Sequence, residues 1–476
     1  MPGLLRGLLS FNGDVLRALP RVAYRRQVMA VTILRRQIVV VNDPEVVRDV
    51  FVTRHAIYGR KSHFKEQALS PVIGESLFAN HGSLWATRRP AVARLLHPSG
   101  VGQFQEAFRE AGRRLIEDWS APVAAAGGSW DGQGGGTPGE PAGGATRDGA
   151  AGAPRGKAAA NAPGAVVDVA PDLAAATLRV MLRAVFGPDV PEGEARAIAQ
   201  AFGEYQSRVQ VVDLPHLLGL PRGLLGRQGR IAQRAAAEIR ARVAALIARP
   251  PSGEGLLPGL RAAPAADGRP LLDETGLLDE VAMMLLAGSE TAANALAWCL
   301  FLLASDPAWA TRVRDEAREV LGEREPDAAE LNGLLQARAV LQEAMRLYPP
   351  VAVLARQAVQ VDRIRRWTLR PGDTLLCIPW LLHRHENLWD APHAFRPARF
   401  LPENSKAIPR FAYLPFGVGP RVCAGAAFGM AEMTTLLAML IRRFALAPAP
   451  GVVPMPRFRL TLRPEGGMPL LLRPAP

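Results

Sequence analysis

Cysteine is scarce in this chain of 476 residues, which has only three: Cys299, Cys377 and Cys423. They lie far apart and form no metal-type pair, which argues against a disulfide framework and a thiolate zinc site and fits a reducing compartment. Aromatic residues make up 6% of the chain. No basic stripe interleaved with them, no finger and no helix-turn-helix is present, so nucleic acid is not the expected partner despite a net charge of +13. Acids are rare at the start, where Asp14 is the only one before Asp43. Residues 1–19 carry scattered leucines but are interrupted by Arg6 and Asp14, too short and broken to span a membrane. They also lack the clean apolar stretch and small-residue cleavage site of a secretory signal. A soluble cytoplasmic protein is the expectation. The poorest stretch is 124–164, with no Val, Leu, Ile, Met or Phe and with Trp130 as its only aromatic. Such a segment buries too little apolar area to offset its ordering entropy, and it reads as a disordered Gly/Ala/Pro-rich surface insertion.

The remainder is globular in composition, 49% hydrophobic and 21% charged. Long helical patterns dominate and short strands are few. Residues 37–41 read as a strand, and 44–52 as a helix opened by Asp43 and Pro44. Helical apolar spacing recurs over 168–186, 228–247 and 307–321, the last capped by Asp306 with Pro307 at its first position. A turn at 370–373 leads into a strand-like run at 374–379. The expected fold class is mainly α with a minor β-rich region.

Cys423 sits in the run Phe416-Gly417-Val418-Gly419-Pro420-Arg421-Val422-Cys423-Ala424-Gly425. Glycines allow φ values closed to other residues and let the backbone pass close to a bulky group. Backbone N–H groups in such a loop, and at the start of the helix after it, stabilise negative charge on sulfur. Arg421 is placed to meet a carboxylate. The bland alternative is a tight turn around a buried structural cysteine. Elsewhere, 277–304 is a long apolar helical stretch interrupted at its centre by Ser289, Glu290, Thr291 and Asn294. Polar groups there are costly unless they have partners, so their positions carry information.

The cysteine run resembles the haem-binding signature of the cytochrome P450 superfamily, matching at Phe416, Gly417, Gly419, Arg421, Cys423 and Gly425. Ala287-Gly288-Ser289-Glu290-Thr291 resembles that family's oxygen-handling motif. Leu341 to Pro350 contains Glu343 and Arg346 in its Glu-x-x-Arg spacing, and Arg399 matches a third position of that network, although Ala398 departs from the more usual Glu. Trp85 and Arg89 match a Trp-x-x-x-Arg helix. The resemblance implies haem b (iron protoporphyrin IX), with Cys423 as the thiolate ligand of the iron. Trp85, Arg89, Arg356 and Arg421 would bind the propionates, and Phe416, Gly417 and Gly425 would frame the loop. Ala287 and Gly288 would leave room above the ring. Thr291 would relay a proton, with Glu290 linking it to solvent. Histidines 383, 385 and 393 are expected to be structural or exposed.

The same resemblance implies one domain over 1–476, with 124–164 inserted in it, and the haem between the Cys423 loop and the Glu290–Thr291 helix. The implied activity is a monooxygenase that inserts one atom of O₂ into an apolar organic substrate. Electrons would come from a separate ferredoxin or flavodoxin-type donor, docking near Arg421, Lys406 and Arg442. Two rivals stand beside it: a haem-thiolate isomerase or peroxygenase, and a non-catalytic haem-binding sensor. Val351, Ala352, Val353, Leu354, Met283 and Leu286 suggest an apolar pocket but do not choose a substrate.

Overall fold

Aspartates open the principal helices. Asp168 accepts the N–H of Ala170, Asp273 that of Gly276 and Asp306 that of Trp309, each satisfying a backbone donor that the first helical turn leaves without a partner. In the computed structural model, which describes residues 14–33, 36–61, 63–127, 164–209, 227–250, 253–265 and 267–476, ten longer helices follow in chain order. They are α1 (His63–Ile73), α2 (Gly82–Leu95), α3 (Gln105–Gly127), α4 (Val169–Phe186), α5 (Glu194–Arg208), α6 (Arg227–Ile247), α7 (Glu274–Ser305), α8 (Pro307–Leu321), α9 (Leu335–Leu347) and α10 (Ala426–Arg443).

The 32-residue α7 runs through the core. It lies most extensively on α4 and also meets α1, α6, α9 and α10, while α5 packs on α6 and α3 on α10. Leu285, Leu296, Trp298 and Cys299 are fully buried on it, and the Trp298 ring stacks on Tyr348 with centroids 3.8 Å apart. Among the described residues α7 is the one helix long and apolar enough to cross a membrane, yet 72% of its apolar window is buried inside the protein. Its hydrophobicity is accounted for by the core.

The β structure is small. One sheet has the order β1 (Val28–Ile33), β2 (Arg36–Val41), β8 (Thr374–Cys377), β5 (Leu354–Gln357), β3 (Arg60–Lys61). Only the β2–β8 pair is parallel, and Arg356 of β5 lies opposite Leu375. β4 (Ala165–Asp168), β12 (Pro469–Pro474) and β9 (Phe444–Pro448) form a second sheet, and β6 (Asp362–Ile364) with β7 (Trp367–Leu369), and β10 (Met455–Phe458) with β11 (Leu462–Glu465), form hairpins.

Three expectations need correcting. The stretch 124–164 does not begin as an irregular segment, because α3 continues to Gly127. Alanine is the best helix former and needs no buried face, so Ala124–Ala126 extend the helix in solvent; residues 128–163 lie outside the described residues, as do 1–13. The helix begun by Asp43 is regular only over Pro44–Arg48 and widens into a π-type turn at Asp49–Thr53. The strand at 374 stops at Cys377, since Pro379 has no N–H for a ladder and instead opens the short helix Pro379–Leu382.

Candidate functional site

The cysteine loop closes on itself: the Cys423 N–H donates to the Phe416 carbonyl at 2.9 Å, and Val422 N–H to Gly419 at 3.0 Å. Gly417 and Gly419 hold φ of 72° and 75°, a region that side chains disfavour. At Gly419 there is a second reason, since a Cβ would stand 2.0 Å from the Phe51 carbonyl oxygen. Gly425 is different. Its φ of −92° is open to any residue, and a Cβ there would meet nothing nearer than Leu96 at 4.0 Å. It caps α10, and its N–H reaches the sulfur of Cys423.

Cys423 is exposed, yet it lies among enough protein that burial pushes its thiol above the usual range. Both hold for a thiol on the floor of a cleft. The Gly425 N–H and the Arg89 guanidinium pull the other way, favouring the thiolate once a cation is beside it. Arg89 Nη2 donates to the Val422 carbonyl at 2.7 Å. One helical turn away on the same face of α2, Trp85 lies under the Arg421 guanidinium, 4.6 Å from ring centroid to carbon. Arg421 also donates to the Asn80 carbonyl at 3.1 Å.

Arg356 comes from β5. It is 8% exposed, sits over Phe51, and donates to the Ala355 carbonyl. Burial, then the charge of Arg421, lower its pKa to about 10, so it remains a cation at neutral pH. No carboxylate of the described residues pairs with Arg356 or Arg89. A buried cation without an anion is costly, and a ligand bearing carboxylates would remove that cost.

Ala287 is exposed in the middle of α7, with Leu285 and Leu286 buried before it and Ala292 after it. The helix therefore opens onto space there. Gly288 does not share that role: its missing side chain accommodates α4, since a Cβ would lie 2.5 Å from Met181 Sδ. This corrects the expectation that both small residues clear room above a ring. α7 runs unbroken through this point. Thr291 Oγ1 donates to the Ala287 carbonyl at 2.8 Å, leaving its lone pairs to accept. Glu290 Oε1 accepts from Asn294 Nδ2 and from Thr461 Oγ1, both at 3.0 Å.

Behind the loop, Glu343 and Arg346 form a two-pronged pair at 2.7 and 2.8 Å, both fully buried. Arg346 also donates to the carbonyls of His383, Pro392 and Ala394, and Glu343 accepts the Arg396 N–H. Arg399 stands further off, 3.5 Å from Glu343. Burial pulls His383 down to about 3, leaving it neutral, and its Nε2 accepts the Leu414 N–H.

Sequence reasoning missed two acids. Asp279 accepts from Glu75 N–H and Arg240, and Glu280 from Leu77 N–H and Arg88. They anchor the backbone that leads into α2 and its Trp85 and Arg89. The available signal was an adjacent acid pair in an otherwise apolar helix.

The cytochrome P450 family profile matches residues 22–132 and 155–471. The chain belongs to the cytochrome P450 family. It is 34% identical over 314 residues to cyclooctatin synthase of Streptomyces melanosporofaciens, across 63% of this chain and 66% of that one. It is 27% identical to cytochrome P450 72A15 of Arabidopsis thaliana, across 91% and 79%. A retinoic acid-bound cyanobacterial P450 structure superposes with a TM-score of 0.76 at 22% identity, covering 94% of this chain and 92% of that one, which establishes the mainly helical fold. Members of this P450 family are haem-thiolate monooxygenases with haem b as cofactor. The residues fit that group: a thiol on a cleft floor, guanidiniums with no carboxylate of their own, and an open alanine on the core helix.

Proposed function

We propose that this P450 inserts one atom of dioxygen into an apolar organic substrate, commonly as a hydroxylation. The observation that carries the reading is Cys423 at the floor of a cleft, beside Arg89, with the buried cation Arg356 within reach of the charge of Arg421 from the same loop. Haem b, when bound, supplies the activation of oxygen. The chain's residues do the rest. Cys423 would ligate the haem iron through its thiolate. Trp85, Arg89, Arg356 and Arg421 would hold the propionates, while Phe416, Gly417 and Gly425 would shape the loop. Ala287 would leave space for oxygen and substrate, and Gly288 contributes by letting α7 close on α4. Thr291 accepts and passes a proton, and Glu290, fixed by Asn294 and Thr461, supplies it from solvent.

The proposal takes the chain as one domain over 1–476 with an insertion between α3 and β4, in the cytoplasm, reduced by a ferredoxin or flavodoxin-type partner. The carbon monoxide difference spectrum of reduced, haem-loaded protein tests the site. The red-shifted Soret band of thiolate ligation is expected, and its disappearance in Cys423→Ala. A band of neutral or histidine ligation in the loaded wild type would overturn the assignment. Product analysis under labelled oxygen then separates monooxygenation from isomerisation or peroxide use.

A further inference from the structure

On the Glu290 side of α7 lies a cavity of about 590 Å³ bounded by α4, α5, α7 and the β10–β11 hairpin. One wall is small and apolar, with Ala174 from α4 and Ala199 from α5. The other is cationic, with Arg196 from α5 and Arg457, Arg459 and Arg463 from the hairpin.

The charges in this wall are unevenly matched. Of its three acids only Glu465 is ion-paired among the described residues, with Arg17 and Arg457. Asp172 and Glu290 accept from neutral groups, the Trp119 indole N–H at 3.0 Å and the side chains of Asn294 and Thr461. Two carboxylates thus face three arginines that have no ion pair. Among the described residues, none of Arg196, Arg459 and Arg463 forms an ion pair. Arg459 donates to the neutral carbonyls of Gln206 and Ser207, and Arg463 to Gln206 Oε1 at 3.1 Å. The Gln206 Nε2 is buried with no acceptor, an orphan donor in the same cluster. Burial first, then the charges of Arg457 and Arg463, lower the pKa of Arg459. Like charges are thus held close together beside open space, and the bonds to α5 fix the hairpin so that little reorganisation is needed to receive an anion.

We propose that this cavity is a binding site for a small oxyanion, phosphate or carboxylate, held by Arg196, Arg459 and Arg463 with any organic part against the alanine wall. Glu290, assigned above to proton supply, lines the same cavity, but the anion site is argued from Arg196, Arg459 and Arg463 and does not rest on that assignment. Thr461 lies in the same hairpin, between Arg459 and Arg463, and bonds Glu290, so an occupant would sit next to that carboxylate.

Titration calorimetry of the holoenzyme at low ionic strength tests it, with inorganic phosphate and hexanoate as probes. Saturable one-to-one binding of at least one probe is expected, and the tighter of the two identifies the source of the oxyanion. The Arg196→Gln/Arg463→Gln variant should weaken it at least about tenfold, the worth of one charge-assisted hydrogen bond. Arg196→Gln alone, which breaks no hydrogen bond or ion pair among the described residues, should weaken it while leaving the thermal melt unchanged. No saturable binding of either probe, unchanged affinity in the double variant, or heat that follows a shift of the haem spectrum would overturn the proposal.

Discussion

At Gly419 a single methyl group is forbidden twice over. The backbone holds φ at 75°, and a Cβ would overlap the Phe51 carbonyl. Gly425, five residues past Pro420 in the same loop, carries neither constraint. Gly419→Ala is therefore expected to destabilise the protein by about 1–3 kcal/mol, the range for a residue forced into a rare backbone region. Gly425→Ala should leave the melt in place. Thermal melts of the two variants decide the matter, and equal losses would show that the close approach to Phe51 is not what selects glycine. Cys423, Arg89 and Glu343 were legible because their spacing is local, within a loop or a helical turn. The reason for Gly288 was not. Its neighbour Met181 lies on another helix, over a hundred residues away, and nothing near Gly288 in sequence points to it.

At the scale of elements, the bond network of α9 matters more than its length. Glu343 and Arg346 are both fully buried, and between them they hold four backbone groups from His383 to Arg396. Glu343→Ala leaves the Arg346 cation buried without its anion, at a cost of roughly 3–5 kcal/mol. Insoluble or haem-free protein is expected. Soluble protein with a full complement of haem, measured by the ratio of Soret to protein absorbance, would count against the network. Arg399, at 3.5 Å, contributes less than its place in the motif suggested. Helix starts were readable to within a few residues because aspartates mark them. The β10–β11 hairpin was not foreseen, since what positions it is its contact with α5 and α7 through Arg459, Arg463 and Thr461. No local pattern encodes such a contact.

For the whole molecule, the net charge of +13 favours an acidic partner. Of the three residues expected on the docking side, Lys406 is exposed. Arg442 is tied to the Gly322 carbonyl, and Arg421 leans over Trp85, so the attraction comes more from the overall field than from a dedicated patch. Reduction by an acidic ferredoxin should slow steeply as salt is raised through about 0.1 M, where the screening length falls to about 10 Å. A rate independent of salt would rule out electrostatic steering. The approach of Gly419 to Phe51 also has a consequence in time. The ribosome makes Phe51 early and Gly419 about 368 residues later, a delay of roughly 20–70 s at common elongation rates. Until then the surface formed by Phe51 and its neighbours lacks its partner. The Cys423 loop is thus completed long after the segment it packs against, and a chain stalled before it would expose an unfinished surface to chaperones and proteases.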